Sequence, residues 1–164
     1  GESLVDYLSK EGAQVLISDI NEGRVLELAK KYNAQIVDGK DIFNTDMDIY
    51  APCALGATLN DSSIEALKAK VVAGAANNQL ENEIIHGEML ANKGILYAPD
   101  FVVNAGGIIN VYAEIVKYNR DTIMKKTEGI FDTTLEVFEK SVQDGLTPHM
   151  AALKIAEERI NSKK

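Results

Sequence analysis

The sequence predicts an α/β fold, a doubly wound parallel sheet followed by a helical tail. Three observations carry that prediction. Over about the first hundred residues, short apolar runs alternate with stretches of helical period, the pattern of strands joined by crossover helices. From about Asp100 the apolar runs stop and only helical spacing continues. The segments that follow each run are small, glycine-rich and amide-rich, whereas those that precede them are plain. The chain divides on this reading into residues 1–100 and a helical extension over 101–164.

The elements follow in order. Leu4, Val5 and Leu8 recur at helical spacing, and Gly12 stands where a helix C-terminal glycine belongs. QVLIS is a continuous apolar run, expected of a strand buried on both faces. NEGRVLELAKKYN returns to helical period through Val25, Leu28 and Ala29, with Asn21 as N-cap. AQIV and MDIYA read as strands, the second stopped by Pro52. DSSIEALKA reads as a short helix capped by Asp61, KVVAGA as a strand, NEIIHGEMLANKG as a helix closed by Gly94, and ILYA as a strand stopped by Pro99. Three helices are expected beyond: Val102 to Tyr118, one starting near Asp121 and ending before Gly145, and one with Thr147 as N-cap and Pro148 at its first position. This tail is expected to pack on the sheet or on a neighbouring domain. Lys163 and Lys164 read as a solvated end.

Composition narrows the function. The 164 residues are 46% hydrophobic and 26% charged, an ordinary globular balance. A net charge of −8 argues against a nucleic-acid or anionic-membrane partner. No apolar run reaches the ~20 residues of a membrane span, and no signal peptide is visible. The single cysteine, Cys53, excludes an internal disulfide and fits a reducing cytoplasm. The two histidines, His86 and His149, are far apart and read as surface or core residues, so no metal site is expected.

In an open parallel sheet the ligand crevice lies outside the carboxyl ends of the strands. Here those ends read DIN, APCALGATL, GAANNQ and APDFVVNAGG. Small residues let a flat ligand lie against backbone, and asparagines supply paired donors and acceptors. Asp19 ends a strand about 20 residues after a glycine that opens a helix, the spacing of a ribose-binding acid. A carboxylate there accepts from the ribose hydroxyls and repels a 2′-phosphate, which favours NAD over NADP; the nearest arginine, Arg24, is on the next helix. The alternative for Asp19 is a helix-capping carboxylate. Asn77 and Asn78 read equally as ligand amides or as a turn. Cys53 has no histidine or aspartate at an informative offset and is not a nucleophile on this reading. Gly106 and Gly107 each cost ~1 kcal/mol inside a helix, so close approach of a ligand or backbone is expected there.

DIYAPCALGATLN, GAANNQL and YAPDFVVNAGGIINVYAE, in this order and spacing, closely resemble the NAD-binding domain of the Glu/Leu/Phe/Val dehydrogenases, most of all the leucine-specific branch. The resemblance extends through the helical tail. It implies a Rossmann-like domain of an enzyme that oxidatively deaminates an L-amino acid to its 2-oxo acid and ammonia with NAD as oxidant, assembled as a homo-oligomer. Carried onto this chain, Gly1 resembles the last glycine of the dinucleotide fingerprint. Asp19, with Ile20 beside it, matches the ribose-binding acid. Ala51, Pro52, Cys53, Ala54 and Leu55 match the loop beneath the adenosine and ribose. Asn77 and Asn104 match residues at the nicotinamide end. Asn78, Ile108 and Val111 match the substrate pocket, and the aliphatic pair suits leucine, isoleucine or valine. Phenylalanine, valine or glutamate specificity stays open as an alternative, as does a binding-only nucleotide sensor.

The family's catalytic lysines and aspartate belong to an N-terminal substrate domain, and nothing in this chain matches those motifs. The first strand and the first two glycines of the fingerprint are also unmatched, so the chain alone is expected to be inactive. In the usual 3-2-1-4-5-6 order, the facing edges of QVLIS and MDIYA then lack a neighbour. They are expected to be closed by direct contact, by a partner chain or by swapped elements.

Overall fold

The computed structural model describes residues 1–162; Lys163 and Lys164, read above as a solvated end, lie outside the described residues. The chain forms two compact units: Gly1–Asp46 with Ala66–Lys68, and Met47–Glu65 with the chain from Ala69 onward.

In the first unit, α1 (Glu2–Lys10) leads to β1 (Leu16–Ile17), α2 (Glu22–Tyr32) and β2 (Gln35–Ile36), and a 3-10 turn follows at Ile42–Asn44. Gly12 turns the chain after α1 with φ +83°, a left-handed conformation that favours glycine. Asn21 caps α2 by accepting the Arg24 N–H at 3.0 Å. The two helices are joined at Glu2, which accepts from Lys31 Nζ at 2.9 Å and pairs with Arg24. The Lys31 hydrogen bond, with the nearby positive charges, holds the Glu2 carboxyl below its ordinary range.

β1 runs parallel to β2 in the register Leu16 to Gln35 and Ile17 to Ile36. The expectation of a strand buried on both faces is not met: Leu16 and Ile17 are half-buried and their partners exposed. Among the described residues β1 has a single ladder neighbour.

The second unit holds β3 (Ile49–Tyr50), α3 (Asp61–Ala66), β4 (Val71–Val72), α4 (Glu83–Asn92) and β5 (Leu96–Tyr97), then α5 (Asp100–Val103), α6 (Gly106–Val116), α7 (Arg120–Asp144) and α8 (Pro148–Asn161). Its sheet order is β3-β4-β5, all parallel. Among the described residues β1 pairs only with β2 and β3 only with β4.

Leu59, Ile64, Val72, Leu90 and Tyr97 are fully buried in this unit. A second cluster, Val137, Ala151, Ala152 and Ile155, joins α7 to α8, with Val102 and Leu146 packed against it. Helix α8 touches both α4 and β5. Thr147 caps α8 by accepting from Met150 N, with Pro148 at the first turn.

Three local expectations are corrected. The α3 cap is Asn60, whose Oδ1 accepts the Ser63 N–H at 3.1 Å; Asp61 is already helical and faces His86. Helix α7 is capped by Asn119, not Asp121. The single helix expected over 102–118 is two, broken at Asn104 and Ala105. The break falls where the Asn104 side chain reaches out to Asn77.

Both histidines are core residues. His86 Nδ1 accepts the Asn82 N–H at 2.8 Å, which leaves Nε2–H directed to Asp61 Oδ1 at 3.3 Å. His149 meets the Phe101 ring edge-on at 5.4 Å.

Candidate functional site

The first unit places Asp19 and Ile20 just beyond the carboxyl end of β1, both exposed, Ile20 by 98%. Asp19 Oδ1 accepts the Asn21 N–H at 2.9 Å. That is an Asx turn, and it fixes the carboxylate while its other oxygen has no partner among the described residues. Helix α2 is capped by Asn21, so Asp19 is not the helix-capping carboxylate of the alternative reading. Gly1 precedes α1, and its carbonyl accepts the Val5 N–H. Arg24 is engaged by Glu2 and by Glu27, the latter at 2.7 Å.

In the second unit the carboxyl ends of β3 and β4 meet backbone to backbone. A Cβ built on Gly74 would lie 2.2 Å from the Pro52 carbonyl oxygen and 2.5 Å from its nitrogen. A Cβ on Gly56 would lie 2.8 Å from the Asn77 carbonyl oxygen and 2.9 Å from that of Asn78. Hydrogen bonds run along this seam: Ala76 N–H to Pro52 O at 2.9 Å, Ala57 N–H to Asn78 O at 2.7 Å and Leu59 N–H to Gln79 O at 3.0 Å. Gln79 is fully buried beneath it and donates to Gly74 O at 2.8 Å and Ala76 O at 2.9 Å. The seam brings the Ala51–Leu55 loop, in which Pro52 is buried and Ala54 and Leu55 are exposed, against the loop that carries Asn77 and Asn78.

Asn78 adopts a left-handed φ of +51°, which asparagine tolerates better than most residues. Its N–H donates to Asp100 Oδ2 at 2.6 Å. Asp100, only 9% exposed, receives the Tyr97 hydroxyl on its other oxygen at 3.1 Å. Burial, and then the Asp100 charge, push the Tyr97 phenol well above its ordinary range. The unfolded phenol ionises near pH 10, so the folded chain binds a proton that the unfolded chain has lost. Stability from Tyr97 is therefore intact below about pH 10 and falls as pH rises through the folded-state value. Urea midpoints at pH 8 and pH 11 check this. Tyr97→Phe is expected to shrink the alkaline loss, and an unchanged loss would refute the assignment.

Asn104, at the end of α5, donates from Nδ2 to Asn77 Oδ1 at 2.6 Å. Among the described residues the Asn77 amide N–H2 and the Asn104 amide oxygen have no protein partner. They leave an adjacent donor and acceptor at the exposed end of the sheet.

Ile108 and Val111 lie on one stripe of α6 and are 68% and 56% exposed. The close approach expected at Gly106 and Gly107 is not made by protein. A Cβ on Gly106 would meet only a Thr127 methyl at 3.8 Å, and one on Gly107 would meet nothing within 4 Å. Two features escaped the sequence reading: the tight glycines Gly56 and Gly74, and the carboxylate of Asp100. An acidic residue directly after the strand-ending Pro99 was the available signal for the second. No group of three or more His, Cys, Asp or Glu among the described residues could hold a metal ion, and no described helix is long and apolar enough to cross a membrane.

The sequence profile described as glutamate/leucine/phenylalanine/valine dehydrogenase matches residues 5–163. A leucine dehydrogenase from Thermoactinomyces intermedius is 51% identical over 157 residues, 96% of this chain and 43% of that protein. A phenylalanine dehydrogenase from Bacillus thermotolerans is 40% identical over 168 residues, 99% of this chain and 44% of its own length. The crystal structure of L-tryptophan dehydrogenase from Nostoc punctiforme superposes with a TM-score of 0.96 at 45% identity, covering 99% of this chain and 49% of that one. The chain thus spans less than half the length of the relatives it matches.

Proposed function

The chain belongs to the glutamate/leucine/phenylalanine/valine dehydrogenase family, and on that premise we propose that it is the NAD-binding part of an amino-acid dehydrogenase acting on a branched-chain substrate such as leucine. The observation that carries this reading is the free donor and acceptor of the Asn77–Asn104 pair. A carboxamide, the polar group of a nicotinamide ring, offers the complementary acceptor and donor. The residues present therefore fit the cofactor, which when bound supplies the hydride acceptor for oxidation at the substrate α-carbon.

Each residue then has a task. Asp19, held by its Asx turn, accepts from the ribose hydroxyls. Arg24 is tied to Glu2 and Glu27 and so is not poised to neutralise a 2′-phosphate, which favours NAD over NADP. Gly1, Ile20, Ala51, Pro52, Cys53, Ala54 and Leu55 form the backbone and apolar surface along which the adenosine half lies. Asn77 and Asn104 orient the nicotinamide carboxamide. Asn78, Ile108 and Val111 face the substrate, the last two offering aliphatic surface to an aliphatic side chain. On this proposal residues 1–100 are the dinucleotide-binding domain and 101–164 a helical extension packed on it. The parent is a cytoplasmic homo-oligomer.

Titrating the chain with NADH and NADPH, followed by nucleotide fluorescence, tests the cofactor; equal affinities would overturn the NAD preference. The chain alone is expected to form no NADH from leucine, because no motif here resembles the family's catalytic lysines and aspartate. Leucine-dependent absorbance growth at 340 nm would refute that expectation. Likeness to a tryptophan and a phenylalanine dehydrogenase supports an aromatic substrate as a second reading. An assay of the full-length enzyme across leucine, valine, phenylalanine, tryptophan and glutamate decides between them.

A further inference from the structure

We infer that Asp100 is a positioning residue that sets the spacing of the two amide-bearing segments, and thereby controls affinity for the nicotinamide half of the cofactor without touching it. The inference rests on the NAD-binding reading above. Asp100 is bonded to both segments at once. Its side chain accepts the Asn78 N–H at 2.6 Å, fixing the loop after β4. Its backbone carbonyl accepts the Asn104 N–H at 2.9 Å, fixing the end of α5. Asn104 Nδ2 then closes the ring by donating to Asn77 Oδ1.

The geometry leaves little freedom. Asn78 is in a left-handed conformation, one that asparagine tolerates and that its N–H bond to Asp100 helps to hold. Its carbonyl and that of Asn77 are pressed against Gly56, so the loop cannot retreat on that side. The Asp100 carboxylate is the acceptor that holds the loop from the other side. The carboxylate is itself oriented by the buried Tyr97 hydroxyl, which donates to Oδ1, so Oδ2 remains aimed at Asn78. A charged acceptor makes a stronger bond to an N–H than a neutral one, and burial raises its value further. The ring holds the segments proposed to bind the nicotinamide, so the nicotinamide and adenosine halves of the cofactor are expected to respond differently to the loss of Asp100.

Two ligands separate the possibilities: NADH, and ADP-ribose, which lacks the nicotinamide. Asp100→Leu removes both side-chain acceptors at similar volume. Asp100→Asn keeps one acceptor for Asn78, while the Tyr97 hydroxyl can turn to accept from the new amide. With Asp100→Leu, affinity for NADH is expected to fall about tenfold, equivalent to about 1.4 kcal/mol, with ADP-ribose affinity changed less than about twofold. Asp100→Asn is expected to restore most of the NADH affinity. An equal loss for both ligands in a folded protein, or no loss for NADH, would overturn the inference.

A second measurement stands independently of ligand. In ¹H–¹⁵N spectra of the free protein, the side-chain amide signals of Asn77 and Asn104 should shift in Asp100→Leu and return toward their original positions in Asp100→Asn. Unmoved signals would overturn the inference. If Asp100→Leu does not fold, the comparison of wild type with Asp100→Asn and Asp100→Ser carries the same test, with Ser expected to lose NADH affinity selectively. Failure of the wild-type chain to bind NADH would count against the NAD-binding reading, and the amide signals would then decide the positioning role alone.

Discussion

Gly74→Ala is expected to destabilise the chain by about 3 kcal/mol or more, the upper range for overpacking. The added methyl would sit 2.2 Å from the Pro52 carbonyl oxygen and 2.6 Å from its Cδ. Neither is the movable end of a side chain. To restore ordinary contact the loop after β3 must shift by more than an ångström, breaking the Ala76 N–H to Pro52 O bond. Gly129→Ala is the matched control. It lies in the interior of α7 with nothing within 4 Å of a built Cβ, and alanine there should add about 1 kcal/mol by helix propensity alone. Urea denaturation of both variants reads the two signs. A Gly74→Ala midpoint within error of the wild type would show that the seam yields.

Asp19→Ala is expected to weaken NADH binding by about 30-fold, the loss of charge-assisted hydrogen bonds worth about 2 kcal/mol. Stability should change little, because the carboxylate is exposed and its protein partner is a single local N–H. NADPH affinity should fall far less, so the ratio of the two affinities is the diagnostic quantity. A parallel fall for both nucleotides would indicate that Asp19 only shapes the turn.

The fold was largely legible because its signals are local. Apolar runs against helical period marked every strand and the crossover helices. Caps such as Asn21 and Thr147 sit within three residues of the N–H groups that they accept. What escaped is what depends on distant partners. Gly56 and Gly74 look like ordinary loop glycines until the Asn77–Asn78 backbone and Pro52 are placed against them. Gly106 and Gly107 looked confined, yet no protein backbone approaches them. The break between α5 and α6 coincides with the bond from Asn104 to a residue 27 positions earlier. The role of Asp100 depends on Asn78, 22 positions before it. Asp61 was read as the α3 cap, whereas the residue that caps stands one position before it, an offset that propensity does not resolve. Of the candidate site, Asn77 and Asn104 were each named from the resemblance, with no expectation that their side chains meet; the bond between them is what the structure adds. The Ala51–Leu55 loop likewise meets the Asn77–Asn78 loop. How either loop is held was not visible.

The backbone seam and the α6 stripe divide the chain into parts that can and cannot change. At Gly56 and Gly74 there is no side-chain volume to vary, so any residue but glycine disturbs both loops at once. At Ile108 and Val111 the side chains project outward and contribute little to this chain's own core. Substitutions at those two positions therefore carry almost no folding penalty. If they face the substrate, as proposed, a lineage can explore new side-chain preferences there while the backbone seam stays fixed. The separation of tolerant positions from intolerant ones offers a physical route by which relatives 40–51% identical to this chain come to bear the names of different amino acids.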